Sequence, residues 1–115
     1  MAAKTLGCNA TIVMPKTTPT IKTDAVRKFG AEVILHGISF FESLDLAHEI
    51  EKEKGLTFIH PFDDPYVIGG QGTIAKEILD DFNDPIHAIF VCVGGGGLIS
   101  GIATYVKAVR PDIKV

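Results

Sequence analysis

Eight of the twelve glycines stand in two places: Gly69, Gly70 and Gly72, and Gly94 to Gly97 with Gly101. The second group follows the apolar run Ala88-Ile89-Phe90-Val91-Cys92-Val93 and precedes a stretch of helical periodicity. A strand-to-helix joint of bare glycines has a definite chemistry. The start of a helix presents about four amide hydrogens without intrahelical acceptors and roughly half a positive charge. Side chains would hold an oxyanion away from those hydrogens. Glycines remove that obstruction and permit turns with positive φ. Gly94-Gly95-Gly96-Gly97-Leu98 is therefore expected to cradle a phosphate through its backbone alone. The alternative is a flexible hinge, but a joint between strand and helix is an unusual place for a mere linker.

Two well-known phosphate loops do not fit. A Walker A loop continues as Gly-Lys-Ser/Thr, whereas Gly97 is followed by Leu98 and Ile99. A dinucleotide GxGxxG set on Gly95 and Gly97 meets Ser100 where its third glycine belongs. Only a looser spacing through Gly101 can be drawn, with no acidic residue about twenty positions on. His36, His48, His60 and His87 show no HxxxH or HExxH spacing, so no metal site is expected. Asp63-Asp64 precedes Pro65 and reads as a helix cap rather than a ligand pair. Gln71 and Thr73 could stand behind the phosphate loop, but the leading reading is that Gly70 and Gly72 permit close helix packing. Tyr105 reads as core or interface rather than as a catalytic acid. Cys92 lies inside the apolar run and reads as a small buried thiol; with Cys8 it makes no disulfide framework.

The elements that position the loop alternate along the chain. A helix over Ala2 to Leu6 ends at Gly7, and Ala10 to Met14 is a strand stopped by Pro15. Thr18-Pro19 reads as N-cap and first turn of a helix with Ile21, Ala25, Val26 and Phe29 on its inner face. Glu32 to His36 is the next strand. Ser39 and Glu42 form a capping box before Leu44, Ala47 and Ile50, and Gly55 closes that helix. Thr57 to His60 reads as a third strand. Asp64-Pro65 opens a helix running to Phe82 with Ile74, Ile78 and Phe82 four apart. Ala88 to Val93 reads as the best-defined strand, buried on both faces. A helix from Leu98 then turns Ile102, Tyr105, Val106 and Val109 inward. It ends at Arg110-Pro111, and Ile113 begins a further strand. The expected fold class is α/β, a parallel sheet with helices on both faces joined by right-handed crossovers.

Composition narrows the function. The chain has 115 residues, the length of one domain, with 46% hydrophobic and 22% charged residues. Its 11 Lys and Arg against 14 Asp and Glu leave a net charge of −3, which gives no electrostatic footprint for nucleic acid. Apolar runs of about six residues fall far short of the ~20 needed to span a bilayer, so no membrane partner is expected. Met1-Ala2-Ala3-Lys4 leads into no secretory signal. A reducing, cytoplasmic location is expected, organellar in a plant or other eukaryote.

Four segments together carry a resemblance. They are Ala10-Thr11-Ile12-Val13-Met14-Pro15, Gly30-Ala31-Glu32-Val33-x-Leu35-x-Gly37, Pro61-Phe62-Asp63-Asp64-Pro65-x-Val67-Ile68-x-Gly70-Gln71-Gly72-Thr73, and Gly94-Gly95-Gly96-Gly97-Leu98. In this order they resemble the threonine dehydratases, pyridoxal-phosphate lyases of the tryptophan-synthase-β-like fold (fold type II), with serine racemase a close cousin. The resemblance implies pyridoxal 5′-phosphate as cofactor, its phosphate held by Gly94, Gly95, Gly96, Gly97 and Leu98. It implies dehydration and deamination of L-threonine, or L-serine, giving 2-oxobutanoate and ammonia from threonine, in isoleucine biosynthesis or amino-acid breakdown. It also implies an amino-acid substrate and a homo-oligomer for the full-length form.

The departures are equally specific. The family's Schiff-base lysine sits in Ser-Phe-Lys-x-Arg-Gly, and no lysine of this chain has that setting. No catalytic residue is therefore assigned. The resemblance implies a central piece of the enzyme, with residues 1–62 in a small mobile lobe and 63–115 in the large cofactor lobe, inactive by itself. Phe40 matches a family phenylalanine on the substrate side, although the favoured reading of Phe40 and Phe41 is a hydrophobic staple at the helix start. The rival readings are a serine racemase or serine dehydratase, a noncatalytic phosphate-binding module, and a nucleotide-binding Rossmann domain.

Overall fold

Side-chain caps from Ser39 and Asp64 fix the starts of the two longest helices of this chain. The computed structural model describes residues 1–115. The elements run α1 (Ala2–Thr5), β1 (Thr11–Met14), α2 (Thr20–Lys28), β2 (Glu32–Leu35), α3 (Phe40–Lys54), α4 (Pro65–Asp81) and α5 (Gly97–Val109). They gather into two compact units, Met1–Phe58 and Ile59–Val115. The chain is α/β, and its sheet is parallel.

In the first unit β1 and β2 pair from Thr11 opposite Glu32 to Met14 opposite Leu35. A parallel pair needs a crossover, and α2 supplies it. Thr18 does not cap α2 as expected. Its amide closes a turn onto the Pro15 carbonyl at 3.0 Å, and Pro19 is the N-cap, without a side-chain bond. The inner face of α2 also differs: Thr23 is buried and Val26 half-buried, whereas Ile21 is 78% exposed and Ala25 is exposed. Burial of Thr23 carries little penalty because its hydroxyl donates to the Thr20 carbonyl at 2.9 Å. At α3 the capping box forms as read. The Ser39 hydroxyl accepts from the Glu42 amide at 3.2 Å, and the Glu42 carboxylate accepts from the Ser39 amide at 3.1 Å. Gly55, at φ +62°, ends the helix.

In the second unit Asp64 caps α4, its Oδ1 accepting from the Tyr66 and Val67 amides at 2.8 and 3.0 Å, with Pro65 following at N1. Helices α4 and α5 meet backbone to backbone. A Cβ on Gly101 would overlap the Ile68 carbonyl and lie 2.7 Å from the Gly72 nitrogen. Gly72 and Gly101 therefore allow close packing, whereas Gly69 and Gly70 have open space. The core is Ala75, Ile102, Val106 and Ile113. The inner stripe of α4 runs through Gly72, Ala75 and Leu79, so Ile74 and Phe82 lie on its more open side, and Val109 of α5 is also exposed.

Two expected strands form no ladder. Extended backbone becomes a strand only when a neighbour pairs with it. Residues 57–60 are unpaired as strand, and within 88–93 only Ala88 pairs, bridging in parallel to Lys114. The run is also one-sided. Ile89 and Val91 pack on the core, while Phe90, 97% exposed, and Cys92 lie on the opposite face. Successive side chains of extended backbone point to opposite faces, which is why the expected burial of Cys92 fails. No helix is long and apolar enough to cross a membrane.

Candidate functional site

The glycine run acquires its shape from three separate causes. Gly96 is the N-cap of α5 at φ +94°, ψ −14°, a left-handed conformation that an L side chain resists. Gly95 and Gly97 lie against Phe62. A Cβ on Gly95 would overlap the Phe62 ring, and one on Gly97 would lie 2.7 Å from the Phe62 carbonyl oxygen. Gly94 and Gly96 have open space where a side chain would stand. Leu98 turns its side chain toward the core and anchors the first turn of α5.

The amides of this segment are poorly served within the chain. No side chain caps α5, and no backbone bond takes the amides of its first turn until that of Ser100, which reaches the Gly96 carbonyl at 3.0 Å. No acidic residue lies in the first turn to repel an anion. Unmet amide hydrogens, a helix start and space beside Gly94 and Gly96 fit a phosphate group.

Sequence reasoning missed the neighbour that shapes this loop. His60 Nδ1 accepts from the Phe62 amide at 3.3 Å and from the Asp63 amide at 2.8 Å. The His60 and Phe62 rings meet edge-on, centroids 4.6 Å apart at 88°. The available signal was a local echo: His60-Pro61 is followed four residues later by Asp64-Pro65, whose carboxylate caps residues at the same two offsets.

The other candidates fall elsewhere. Phe40 is the first residue of α3 and packs edge-to-face on Phe41, centroids 5.7 Å apart. A staple would join Ile38 to Ser43, one exposed and the other polar, so the phenylalanines do not form one. Thr73 donates to the Gly70 carbonyl at 2.8 Å within α4. Tyr105 packs on the core. No group of acids, histidines and cysteines could hold a metal. Ionisable groups moved from their ordinary values have local partners away from the loop: a hydrogen bond from His48 lowers Glu51, a bond to Asp80 raises Lys76, and Arg110 lowers Asp112.

Residues 1–115 match the family described as pyridoxal-phosphate dependent enzyme. The chain belongs to that family. A biosynthetic L-threonine dehydratase of Burkholderia multivorans is 58% identical over 117 residues, covering 99% of this chain and 23% of the relative. The chain thus spans less than a quarter of that relative. Among solved structures, the processed threonine deaminase isoform 2 of Solanum lycopersicum superposes with a TM-score of 0.87 at 53% identity, over 98% of this chain and 31% of the other. Maize serine racemase superposes with 0.90 at 37% identity, over 97% and 34%. The α/β architecture is that of these pyridoxal-phosphate enzymes, and pyridoxal phosphate is the family's cofactor.

Proposed function

We propose that this chain supplies the phosphate cradle of a lyase that dehydrates and deaminates L-threonine to 2-oxobutanoate and ammonia. The supporting observation is the Gly94–Leu98 loop at the start of α5, with open space beside it and amides that find no acceptor in the chain. The choice of threonine is supported by the higher identity to proteins named threonine dehydratase or deaminase than to the maize racemase. Pyridoxal phosphate, when bound, supplies an electron sink for the bond broken at the substrate α-carbon. The chain's own part is to bind and orient. Backbone amides of Gly94, Gly95, Gly96, Gly97 and Leu98 hold the phosphate, and the left-handed turn at Gly96 aims the first of the α5 amides at it. Phe40 is proposed on the substrate side.

In the same reading residues 1–62 belong to the small mobile lobe and 63–115 to the cofactor lobe, a boundary a few residues beyond the division between Met1–Phe58 and Ile59–Val115. The longer protein works as a homo-oligomer on a small amino acid in a step toward isoleucine. It acts in the cytoplasm, where the exposed thiols of Cys8 and Cys92 stay reduced. The second reading is a serine racemase or serine dehydratase, favoured by the superposition on the maize enzyme.

The loop is tested by titrating the labelled chain with inorganic phosphate and with pyridoxal 5′-phosphate. Amide resonances of residues 94–98 should move with both, and a loop that moves with neither excludes the cradle. The substrate is tested on the longer protein: 2-oxobutanoate from L-threonine supports the lyase, and D-serine from L-serine without it supports the racemase.

A further inference from the structure

We propose that His60 is a positioning residue for the phosphate cradle, acting through Phe62: its Nδ1 gathers the amides of the 60–63 turn and thereby sets the Phe62 ring against Gly95 and the Phe62 backbone against Gly97. The proposal deepens the reading of Gly94–Leu98 as a cradle and rests on it.

The geometry comes from both sides of the contact. On the histidine side, Nδ1 takes the Phe62 and Asp63 amides, at residues two and three further on. Those are the offsets at which an Asn or Asp side chain closes a turn, and Asp64 does so onto Tyr66 and Val67. An imidazole can do this only with its Nδ1 lone pair free, so the ring hydrogen sits on Nε2. Pro61, between donor and acceptor, has its φ already set and carries no competing amide.

On the glycine side, three Phe62 ring atoms, Cγ, Cδ1 and Cδ2, lie within 2.8 Å of where a Gly95 Cβ would stand. Near-equal closeness to three contiguous ring atoms places that point over the ring's face. The Gly95 hydrogen that replaces Cβ therefore points into the π cloud. At Gly97 the contact is backbone to backbone, with the Phe62 carbonyl oxygen at 2.7 Å and its Cα at 3.0 Å from the corresponding point. Two of the four glycines are thus held by one residue, and that residue is held by His60. If the turn relaxed, the ring and carbonyl that back the loop would move, and Gly95 and Gly97 would lose the contacts that hold their backbone in place.

The test uses the full 115-residue chain, labelled for resonance assignment, in wild type and three variants. In the wild type one Gly95 α-hydrogen should resonate upfield, over the Phe62 ring. His60→Ala should abolish that shift, speed exchange of the Asp63 amide about fivefold, the worth of one ordinary hydrogen bond, and weaken inorganic phosphate by a similar factor. His60→Asn, whose Oδ1 stands where Nδ1 did, should restore all three. Phe62→Leu keeps the turn and removes the ring, so it should lose the Gly95 shift and leave Asp63 protected, a result that stands even if His60→Ala unfolds. A Gly95 resonance or phosphate affinity unchanged in a folded His60→Ala overturns the proposal, as does failure of His60→Asn to rescue. A wild-type chain that binds neither inorganic phosphate nor pyridoxal 5′-phosphate overturns the cradle itself, and the role of His60 falls with it.

Discussion

Gly96 and Gly69 are the same residue type under opposite constraints, and substitution should separate them. Gly96 sits at φ +94°, where an L side chain costs about 1–2 kcal/mol. Gly69 lies inside α4 with ordinary helical backbone and nothing near the place a methyl would take. Gly96→Ala is expected to destabilise the chain by about 1 kcal/mol, and Gly69→Ala to stabilise it by up to about 1 kcal/mol. Urea unfolding of the two variants checks both signs. The five loop residues were legible because their types and their order between extended run and helix are contiguous in the chain. His60 and Phe62 were not. The contact of Phe62 with Gly95 joins residues more than thirty positions apart, and no periodicity or spacing rule reports such a pairing.

Among the elements, α3 carries a pH dependence that can be assigned to one group. Amides of Ile38 and then Ser39 donate to the Glu42 carboxylate and hold its pKa below the ordinary 4.5. A carboxyl group lowered in the folded state stabilises fully above its unfolded value and loses that contribution as pH falls through the folded one. Protection of the Ile38 and Ser39 amides, corrected for intrinsic exchange, should therefore be complete above about pH 4.5 and fade below it. Glu42→Gln should remove the dependence; a pH profile identical to wild type would contradict the assignment. This element was readable in advance because Ser39, Glu42 and Gly55 act over three or four residues. The run 88–93 was not, since alternation of Ile89 and Val91 inward with Phe90 and Cys92 outward depends on which layers cover it. An unbroken apolar string looks the same whether one face or both are covered.

For the whole molecule, the two units divide the expected labour unevenly. The second holds the proposed cradle and the residues packed against it, and neither contains a lysine in the Ser-Phe-Lys-x-Arg-Gly setting. The chain by itself, mixed with pyridoxal phosphate and L-threonine, should release no 2-oxobutanoate in a lactate dehydrogenase-coupled assay; sustained turnover would contradict this. The grip proposed for Gly94–Leu98 is made of main-chain N–H rather than of lysine or histidine. Such donors have no titration curve across the biological range, so the amides themselves offer the same hydrogens at every pH. Loss of the ligand on acidification at this loop must then trace to the phosphate itself, whose second proton returns near pH ~6, or to the 60–63 turn, which needs an unprotonated Nδ1 on His60.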